Sequence, residues 1–326
     1  MNLKICKIVS TFFALILINT FAFAQNKLIS GAGHQSISFI NSSIAGTNPI
    51  IVKVKANAEL PATLIENYLN QDKSVLVESE GVILFSGQIH KISSGIANLT
   101  IISKSSGSIS FLDNSKIYAT NGTLNLNIET DATITVANLA LLETNGGNIR
   151  LRALKDSESI ANNSINSILI KGKLNASSTY KGGKIVMESD HIKLEGQSKI
   201  LAQGEQGGGT ILIGGDWQGL GTLRQATNVT MNHGAIIDAS AIQNGNGGKV
   251  VLWSDVNNPN SLTKAQGSIF AKAGSQAGNG GKVETSGYML NVDGISVSTQ
   301  ASKGLNGQWL LDPRDITISS GSDSGV

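Results

Sequence analysis

Residues 244–254 read NGNGGKVVLWS, and this stretch decides the fold. A turn rich in glycine opens directly into a run with apolar side chains at alternate positions, Val250 and Leu252. Alternation with a period of two is the pattern of a strand that buries one face. Glycine permits a sharp turn because it adopts φ > 0 without a steric penalty. The stretch therefore predicts a glycine turn followed by a half-buried strand.

The same pattern of turn and strand recurs along the chain. The steps between the second glycines of successive copies are 36, 26, 39 and 33 residues, counted over Gly147, Gly183, Gly209, Gly248 and Gly281. A period that varies in this way indicates one repeated unit whose loops differ in length.

A second motif precedes each of the later turns and consists of an apolar residue, any residue and a small residue. The distances from its last residue to the second glycine of the next turn are 7, 7, 9, 10 and 8 residues, counted from Ala176, Ala202, Ala239, Ala271 and Thr299. One such strand cannot bury its apolar face alone, whereas stacked coils join these faces into a continuous core. The coupled motifs therefore predict an all-β chain folded as a right-handed parallel β-helix, with the strand faces stacked as a solenoid.

The composition agrees with a solenoid. Aromatic residues are only 5% of the chain, but 40% of its residues are hydrophobic, so that Ile, Val, Leu and Ala must form the core. We expect a single solenoid over residues 25–318, less regular in 25–145 and built from regular glycine rungs in 146–311. A short polar tail, residues 319–326, follows.

The first 24 residues have the pattern of a secretory signal peptide. A basic start is followed by the apolar run 8–18, and a small-x-small site ends at Ala24, so that cleavage before Gln25 is expected. The run is too short for a membrane anchor, which needs about 20 apolar residues. The sequence therefore predicts a secreted protein.

Removal of this segment changes the charge and the cysteine count. Both charges in residues 1–24 are lysines, so 25 − 2 = 23 basic residues balance 23 acidic ones. A balanced chain gives no reason to expect a nucleic-acid partner. Cys6 is the single cysteine and leaves with the signal peptide, so the stability of the secreted form must come from the stacked core.

One short helix interrupts the strand pattern. Residues 61–70 read PATLIENYLN, with proline in the first turn and apolar side chains on one face, namely Leu64, Ile65, Tyr68 and Leu69. About three turns of helix are not stable alone. We therefore expect this helix to pack against the flank of the solenoid.

Residues that could carry chemistry are scattered through the sequence. No metal-ligand spacing joins the four histidines, His34, His90, His191 and His233. A β-helix enzyme would need clustered carboxylates, and the candidates lie beside turns or at surface positions: Glu188, Asp190, Glu195, Asp216, Asp238 and Asp255. Residues 204–209, GEQGGG, lack the Lys-Ser/Thr pair of a phosphate-binding loop and are interpreted as a turn. The sequence therefore favours a protein without catalysis and without a cofactor.

Two tryptophans follow glycine turns, and alternation predicts different sides for them. Trp309 should point inward, as part of the core or of a cap. Trp253 should point outward, together with Lys249 and Val251, and is the better candidate for a contact with a sugar or a protein.

Four segments resemble the filamentous-haemagglutinin-like adhesins, a family of large bacterial exoproteins. These segments are GGKVVLWS at 247–254, GNGGKVETSG at 278–287, ILIGGDWQG at 211–219 and GQWLLDPRDITI at 307–318. The residues that carry the resemblance are Gly214, Gly215, Asp216, Gly247, Gly248, Trp253, Gly280, Gly281, Trp309, Leu310, Leu311, Asp312 and Pro313.

The resemblance implies a right-handed β-helix, secretion, and export by the two-partner route through a dedicated outer-membrane pore. It also implies a surface adhesin that contacts host cells, matrix or other bacteria through their glycans or proteins. Family members begin with a secretion domain that carries an N-P-N-G motif, whereas the corresponding tetrapeptide here is NPNS at 258–261, inside the repeats. Two alternatives stay open, a carbohydrate-active β-helix enzyme (a polysaccharide lyase or hydrolase) and a non-functional fragment of a larger adhesin.

Overall fold

The computed structural model describes residues 49–54, 62–155 and 166–314. In this part of the chain, 26 strands form three sheets, and every pairing between strands is parallel. Sheet 1 contains β1 (Ile50–Val54), β2 (Val75–Ser79), β5 (Ile96–Ser103), β8 (Thr123–Thr130), β11 (Ile149–Ala153), β14 (Lys184–Ser189), β17 (Thr210–Ile213), β20 (Lys249–Trp253), β23 (Lys282–Gly287) and β26 (Gln308–Pro313).

Sheets 2 and 3 contain eight strands each. Sheet 2 consists of β3 (Ile83–Phe85), β6 (Ile109–Phe111), β9 (Thr133–Val136), β12 (Ser167–Ile170), β15 (His191–Leu194), β18 (Asn228–Met231), β21 (Leu262–Ala265) and β24 (Met289–Asn291). Sheet 3 consists of β4 (Gln88–Lys91), β7 (Lys116–Ala119), β10 (Leu141–Glu143), β13 (Lys173–Asn175), β16 (Lys199–Leu201), β19 (Ile236–Asp238), β22 (Ser268–Phe270) and β25 (Ser296–Ser298).

From β3 onward the chain visits sheet 2, sheet 3 and sheet 1 in turn, so that each coil contains three strands. Each strand pairs with the strand of the same sheet in the coils before and after it. This confirms the predicted parallel β-helix, while its right-handedness stays a prediction. The glycine motif leads into sheet 1, and the apolar-x-small motif is sheet 3, in which Leu174, Ile200, Ile237 and Ile269 stand in register.

Alternation along the strands builds the core. In β8, Leu124, Leu126 and Ile128 are fully buried in the main core, while the residues between them are partly exposed. The main core consists almost entirely of Ile, Val, Leu and Ala, as the composition predicted. Phe85 and Phe111 are exceptions and meet edge to face in sheet 2, with their ring centroids 5.8 Å apart.

The second glycine of the repeated pairs is required for a different reason from the predicted one. Gly209, Gly248 and Gly281 do not adopt positive φ. A Cβ at Gly248 would lie 2.0 Å from the carbonyl oxygen of Gly209, and a Cβ at Gly281 would lie 2.1 Å from that of Gly248. These three glycines therefore allow the backbones of successive coils to approach. The predicted positive φ occurs elsewhere in the turns, at Gly146, Gly245 and Gly278.

The predicted helix spans Ala62–Leu69 and is designated α1; Pro61 lies outside the described residues. Ile65 and Leu69 are buried in the main core. The side chains of Glu66 and Asn70 bond to the backbone of β4, which is the terminal strand of sheet 3: Glu66 accepts from His90 N at 2.8 Å, and Asn70 donates to His90 O at 3.0 Å. The helix thus covers an open edge that would otherwise present unpaired backbone groups.

A buried lysine lies beside this covered edge. Lys91 ends β4 and is fully buried, and its Nζ donates to Ser93 O at 2.7 Å and to Gly95 O at 2.8 Å. Asp72 lies 3.3 Å from the same nitrogen. A hydrogen bond with Ser93 and the neighbouring Lys91 ammonium hold the pKa of Asp72 below its ordinary value. This arrangement could not be predicted from the sequence, because it depends on contacts between the end of α1 and the next coil.

Several predicted features fall on residues that the structure does not describe. These are the signal peptide with its Ala24–Gln25 cleavage site, the polar tail 319–326 and the last four residues of the segment 307–318. The outer limits of the predicted solenoid, residues 25 and 318, are also outside. Among the described helices, none is long and apolar enough to span a membrane.

Candidate functional site: the covered outer face of sheet 1

The outer face of sheet 1 carries a second apolar cluster, separate from the main core. Val186, Leu212 and Val251 stand in register on β14, β17 and β20, and Trp253 lies two residues beyond Val251. These four residues, designated the outer cluster, are 6%, 2%, 0% and 2% exposed respectively. All four point away from the main core, yet they are shielded from water.

The shield is formed by residues 214–226, designated the cover segment, which lie in the connection between β17 and β18. Its side chains Trp217 and Leu223 pack on the outer cluster, as does Val256 from the turn after β20. The prediction that Trp253 and Val251 are available at the surface is therefore wrong. Alternation correctly placed both residues outside the main core, but the cover segment buries them.

Glycines let the cover segment approach Trp253 closely. A Cβ at Gly215 would lie 2.5 Å from Cδ1 of Trp253. Gly219 adopts φ +63°, and its Cβ would lie 2.6 Å from Cζ2 of the same ring. Gly214 adopts φ +79° and passes over the Trp253 carbonyl. The GGDWQG segment is therefore shaped to the indole, since any side chain at these positions would lift the cover.

Hydrogen bonds within the cover segment and to the neighbouring strands hold it in place. Trp253 Nε1 donates to Gln225 Oε1 at 3.0 Å. Asp216 Oδ1 accepts from the backbone N–H of Trp217 at 2.7 Å and thereby caps the short 3₁₀ helix Trp217–Gly219. The backbone N–H of Gln218 donates to Glu284 Oε2 at 2.8 Å, which connects the cover segment to β23. Three of the four segments singled out by resemblance therefore meet at this cluster.

Glu284 is a buried carboxylate that sequence reasoning missed. It is the direct register partner of Val251 on β23 and is fully buried. Burial raises the pKa of Glu284 above its ordinary value, and the hydrogen bonds from Gln218 N–H and Ser286 Oγ oppose this rise. One feature of the sequence could have identified Glu284. It occupies the strand position that is apolar in the preceding coils, at Val186, Leu212 and Val251, and a carboxylate interrupts that pattern.

The fourth segment, WLLDP, forms β26. Trp309 continues the inward column from Val283 and packs against the main core, and its Nε1 donates to Thr285 Oγ1 at 3.0 Å. This agrees with the inward direction predicted for it. Leu310 pairs with Glu284 on the outer side, while the remaining three residues complete the strand: Leu311, Asp312 and Pro313.

The predicted carboxylates do not assemble into one site. Three of them form separate ion pairs: Glu188 with Arg150 at 2.8 Å, Asp190 with Arg224 at 2.8 Å and Glu195 with Lys193 at 2.9 Å. The hydrogen bond from Lys193 contributes most to the lowered pKa of Glu195. The other three accept local hydrogen bonds: Asp216 from Trp217, Asp238 from Gln203 at 2.7 Å and Asp255 from Asn257 at 2.9 Å.

The histidines are equally separate. His191 stands in register with Asn228, so His233 lies five residues further along the neighbouring coil. His90 stacks on Tyr118 with the ring centroids 4.2 Å apart, and His34 lies outside the described residues. Within residues 49–54, 62–155 and 166–314, no group of three or more His, Cys, Asp or Glu side chains is arranged to hold a metal ion.

The GEQGGG loop is a turn, as predicted, and connects β16 to β17 within one coil. Its glycine N–H groups bond to carbonyl oxygens of neighbouring segments: Gly208 N donates to Asn246 O at 3.0 Å, and Gly209 N to Ala202 O at 2.7 Å. These groups are therefore not directed toward a phosphate.

Comparisons with known proteins add a likeness to solved structures alone. No protein family model matches the chain, and no curated protein matches it. Among solved structures, the chain is similar to the HMW1 secretion domain from Haemophilus influenzae, with 18% identity, a TM-score of 0.38, and coverage of 80% of this chain and 94% of that domain. Similarity at this level does not bear on function, and the β-helix rests on the strand pairing described above.

Proposed function

We propose that this chain is a secreted or cell-surface β-helix protein of the filamentous-haemagglutinin-like adhesin class. It would contact host cells, matrix or other bacteria through their surface glycans or proteins, without catalysis. The observation that carries the proposal is the convergence at the outer cluster. Three segments chosen only for their resemblance to that family interlock there around Trp253, through Gly215, Gln218 and Glu284. Because β17, β20 and β23 are neighbouring strands, the three segments lie close together in any such solenoid. What supports the proposal is the specific fit, in which the glycines of one segment admit the indole of the second and Glu284 of the third accepts a bond from Gln218.

The outer surface of the solenoid suits a binding role. On sheet 1 the side chains of Asn98, Asn125 and Ser74 form a ladder, with bonds of 2.9 Å from Asn125 to Asn98 and 2.8 Å from Asn98 to Ser74. Asn148 continues it by donating its backbone N–H to Asn125 at 2.9 Å. A solenoid repeats such outward positions from coil to coil and thereby offers an extended surface to a partner.

The disposition of the acidic groups favours binding over catalysis. A glycoside hydrolase would place two carboxylates roughly 5 to 10 Å apart on either side of a sugar. Here Glu188, Asp190 and Glu195 have separate basic partners, and Glu284 is buried under the cover segment. Each of these four carboxylates thus has a local structural role.

Secretion and attachment can be tested with the full chain. Export from bacteria should remove residues 1–24, so N-terminal sequencing should begin at Gln25, and release should require an outer-membrane pore protein. The purified mature protein should attach to host or bacterial cells, and the attachment should saturate. Exported protein that begins at Met1 would contradict the signal peptide. Shortening of a polysaccharide by the purified protein, abolished by substitution of one carboxylate such as Asp190→Asn, would favour the enzyme alternative.

A further inference from the structure

A groove runs across the glycine turns where they enter sheet 1. It has a volume of about 580 Å³ and is lined by residues of four successive coils, those of β14, β17, β20 and β23. Its floor is backbone, because the paired glycines of each turn carry no side chain and the coils stack too closely to admit one. The groove is shallow and largely open to solvent, so it suits an extended ligand that lies along the surface better than an enclosed small molecule.

The charged side chains that line this groove are all lysines: Lys181, Lys249 and Lys282. Lys249 and Lys282 are direct register partners on β20 and β23, where strands lie about 4.8 Å apart. Like charges directly opposite each other on neighbouring strands destabilise a sheet. An anionic ligand would relieve this repulsion.

The described part of the chain offers these lysines little compensation. No carboxylate described lies within 4 Å of Lys181, Lys249 or Lys282. Lys249 acts on the buried Glu284 only as a neighbouring charge. Lys282 lies over the ring of Trp217, 5.6 Å from its centroid, so that the cover segment positions this ammonium without neutralising it.

Neutral polar groups lie between the lysines. Gln206, Asn246 and Thr210 line the same groove and can bond to hydroxyl groups. A row of cations with amides and a hydroxyl among them matches a sugar that carries an acidic group. A nucleic acid fits less well, since its binders commonly contact about six to ten phosphates.

We propose that this groove binds an acidic polysaccharide, whose carboxylate or sulfate groups pair with Lys181, Lys249 and Lys282. The inference rests on the proposed adhesin function and names the class of glycan that this surface takes. The backbone N–H groups of the floor do not take part, because those of Gly208, Gly247 and Gly280 already bond to carbonyl oxygens. Recognition therefore depends on the side chains of the groove walls.

The test measures binding of purified mature protein to polygalacturonate, dextran sulfate and uncharged dextran by titration calorimetry. The protein should bind at least one of the two acidic polymers and should not bind dextran. Tighter binding to polygalacturonate would indicate a preference for carboxylate, and tighter binding to dextran sulfate a preference for sulfate. The variant K181Q/K249Q/K282Q should lose roughly tenfold to a hundredfold in affinity, as expected for three exposed ion contacts. The single variants K181Q and K282Q should each lose less affinity than the triple variant. They replace it as the test if the triple variant does not fold.

A matched control carries the same change in charge on sheet 3. K116Q/K173Q/K199Q alters three lysines that stand in one outward column away from the groove and should bind like wild type. Equal loss in this control would overturn the proposal, as would no binding to either acidic polymer. Duplex DNA bound as tightly as the polysaccharides, and lost in the groove variant, would also overturn it. Because polysaccharide binding is measured on purified protein, the two proposals can fail separately. Attachment to cells without polysaccharide binding would overturn only the groove proposal, and polysaccharide binding without attachment to cells would overturn only the adhesin proposal.

Discussion

The burial of Val251 leads to a prediction that separates alternation from tertiary packing. If Val251 faced water, Val251→Asp would change stability by no more than about 0.5 kcal/mol, as surface substitutions usually do. In the structure Val251 is fully buried in the outer cluster. Loss of its burial costs about 1.5 to 3 kcal/mol, and a carboxylate without a partner in an apolar site adds a further cost of similar or larger size.

The neighbour of Val251 raises this cost. Glu284 stands directly opposite on β23 and is itself buried, so Val251→Asp would place two carboxylates side by side in the same site. We therefore expect a loss of about 4 kcal/mol or more near neutral pH. The loss should shrink under acidic conditions, where protonation removes the repulsion.

The assay is urea unfolding followed by circular dichroism and by tryptophan fluorescence, with two comparison variants. Leu252→Asp introduces the same group into the main core, where Leu252 is fully buried, and should lose stability to a similar extent. Thr100→Asp changes an outward position of the same column, on β5, that is partly exposed, and should lose little. A Val251→Asp variant as stable as Thr100→Asp would refute the reasoning, because it would mean that the cover segment does not seal the outer cluster.

Three further predictions concern single contacts. Gly215→Ala should cost about 1 to 3 kcal/mol through overpacking, because its Cβ would lie 2.5 Å from Trp253. Thermal melting should show a smaller loss from Gly215→Ala in a Trp253→Ala background, and an equal loss in both backgrounds would disprove the contact. The raised pKa of Glu284 stabilises the fold below its ordinary value of 4.5, and this contribution is lost as the pH rises through the folded pKa. Glu284→Gln should therefore raise the melting temperature near pH 7 and leave it unchanged near pH 4, and the opposite order would contradict the burial argument. Lys91→Met leaves two backbone carbonyls without their donor and should cost about 1 to 3 kcal/mol in urea unfolding; an unchanged midpoint would count against those hydrogen bonds.

The sequence alone was sufficient for the solenoid, because each coil contacts mainly its neighbours and repeats the same constraint. The period-two pattern around Val250 and Leu252 predicted a strand with one face in the core, and both are fully buried there. Sheet 2 was not recognised as a third repeating face, since its strands lack the glycine punctuation that leads into sheet 1. The helix was predicted from its apolar face, but the use of Glu66 and Asn70 to cover the edge of β4 depends on the next coil.

The sequence by itself determined which side of a strand each residue takes, since that follows from local backbone geometry. Only the tertiary structure decided what lies on the outer side. Trp253 and Val251 point outward as predicted, yet residues 214–226, which come earlier in the chain, fold over them and exclude water. The cover segment also lies over Glu284, while the register between β20 and β23 places Lys249 beside Lys282. Exposure depends on segments distant in sequence, and alternation within one strand carries no information about them.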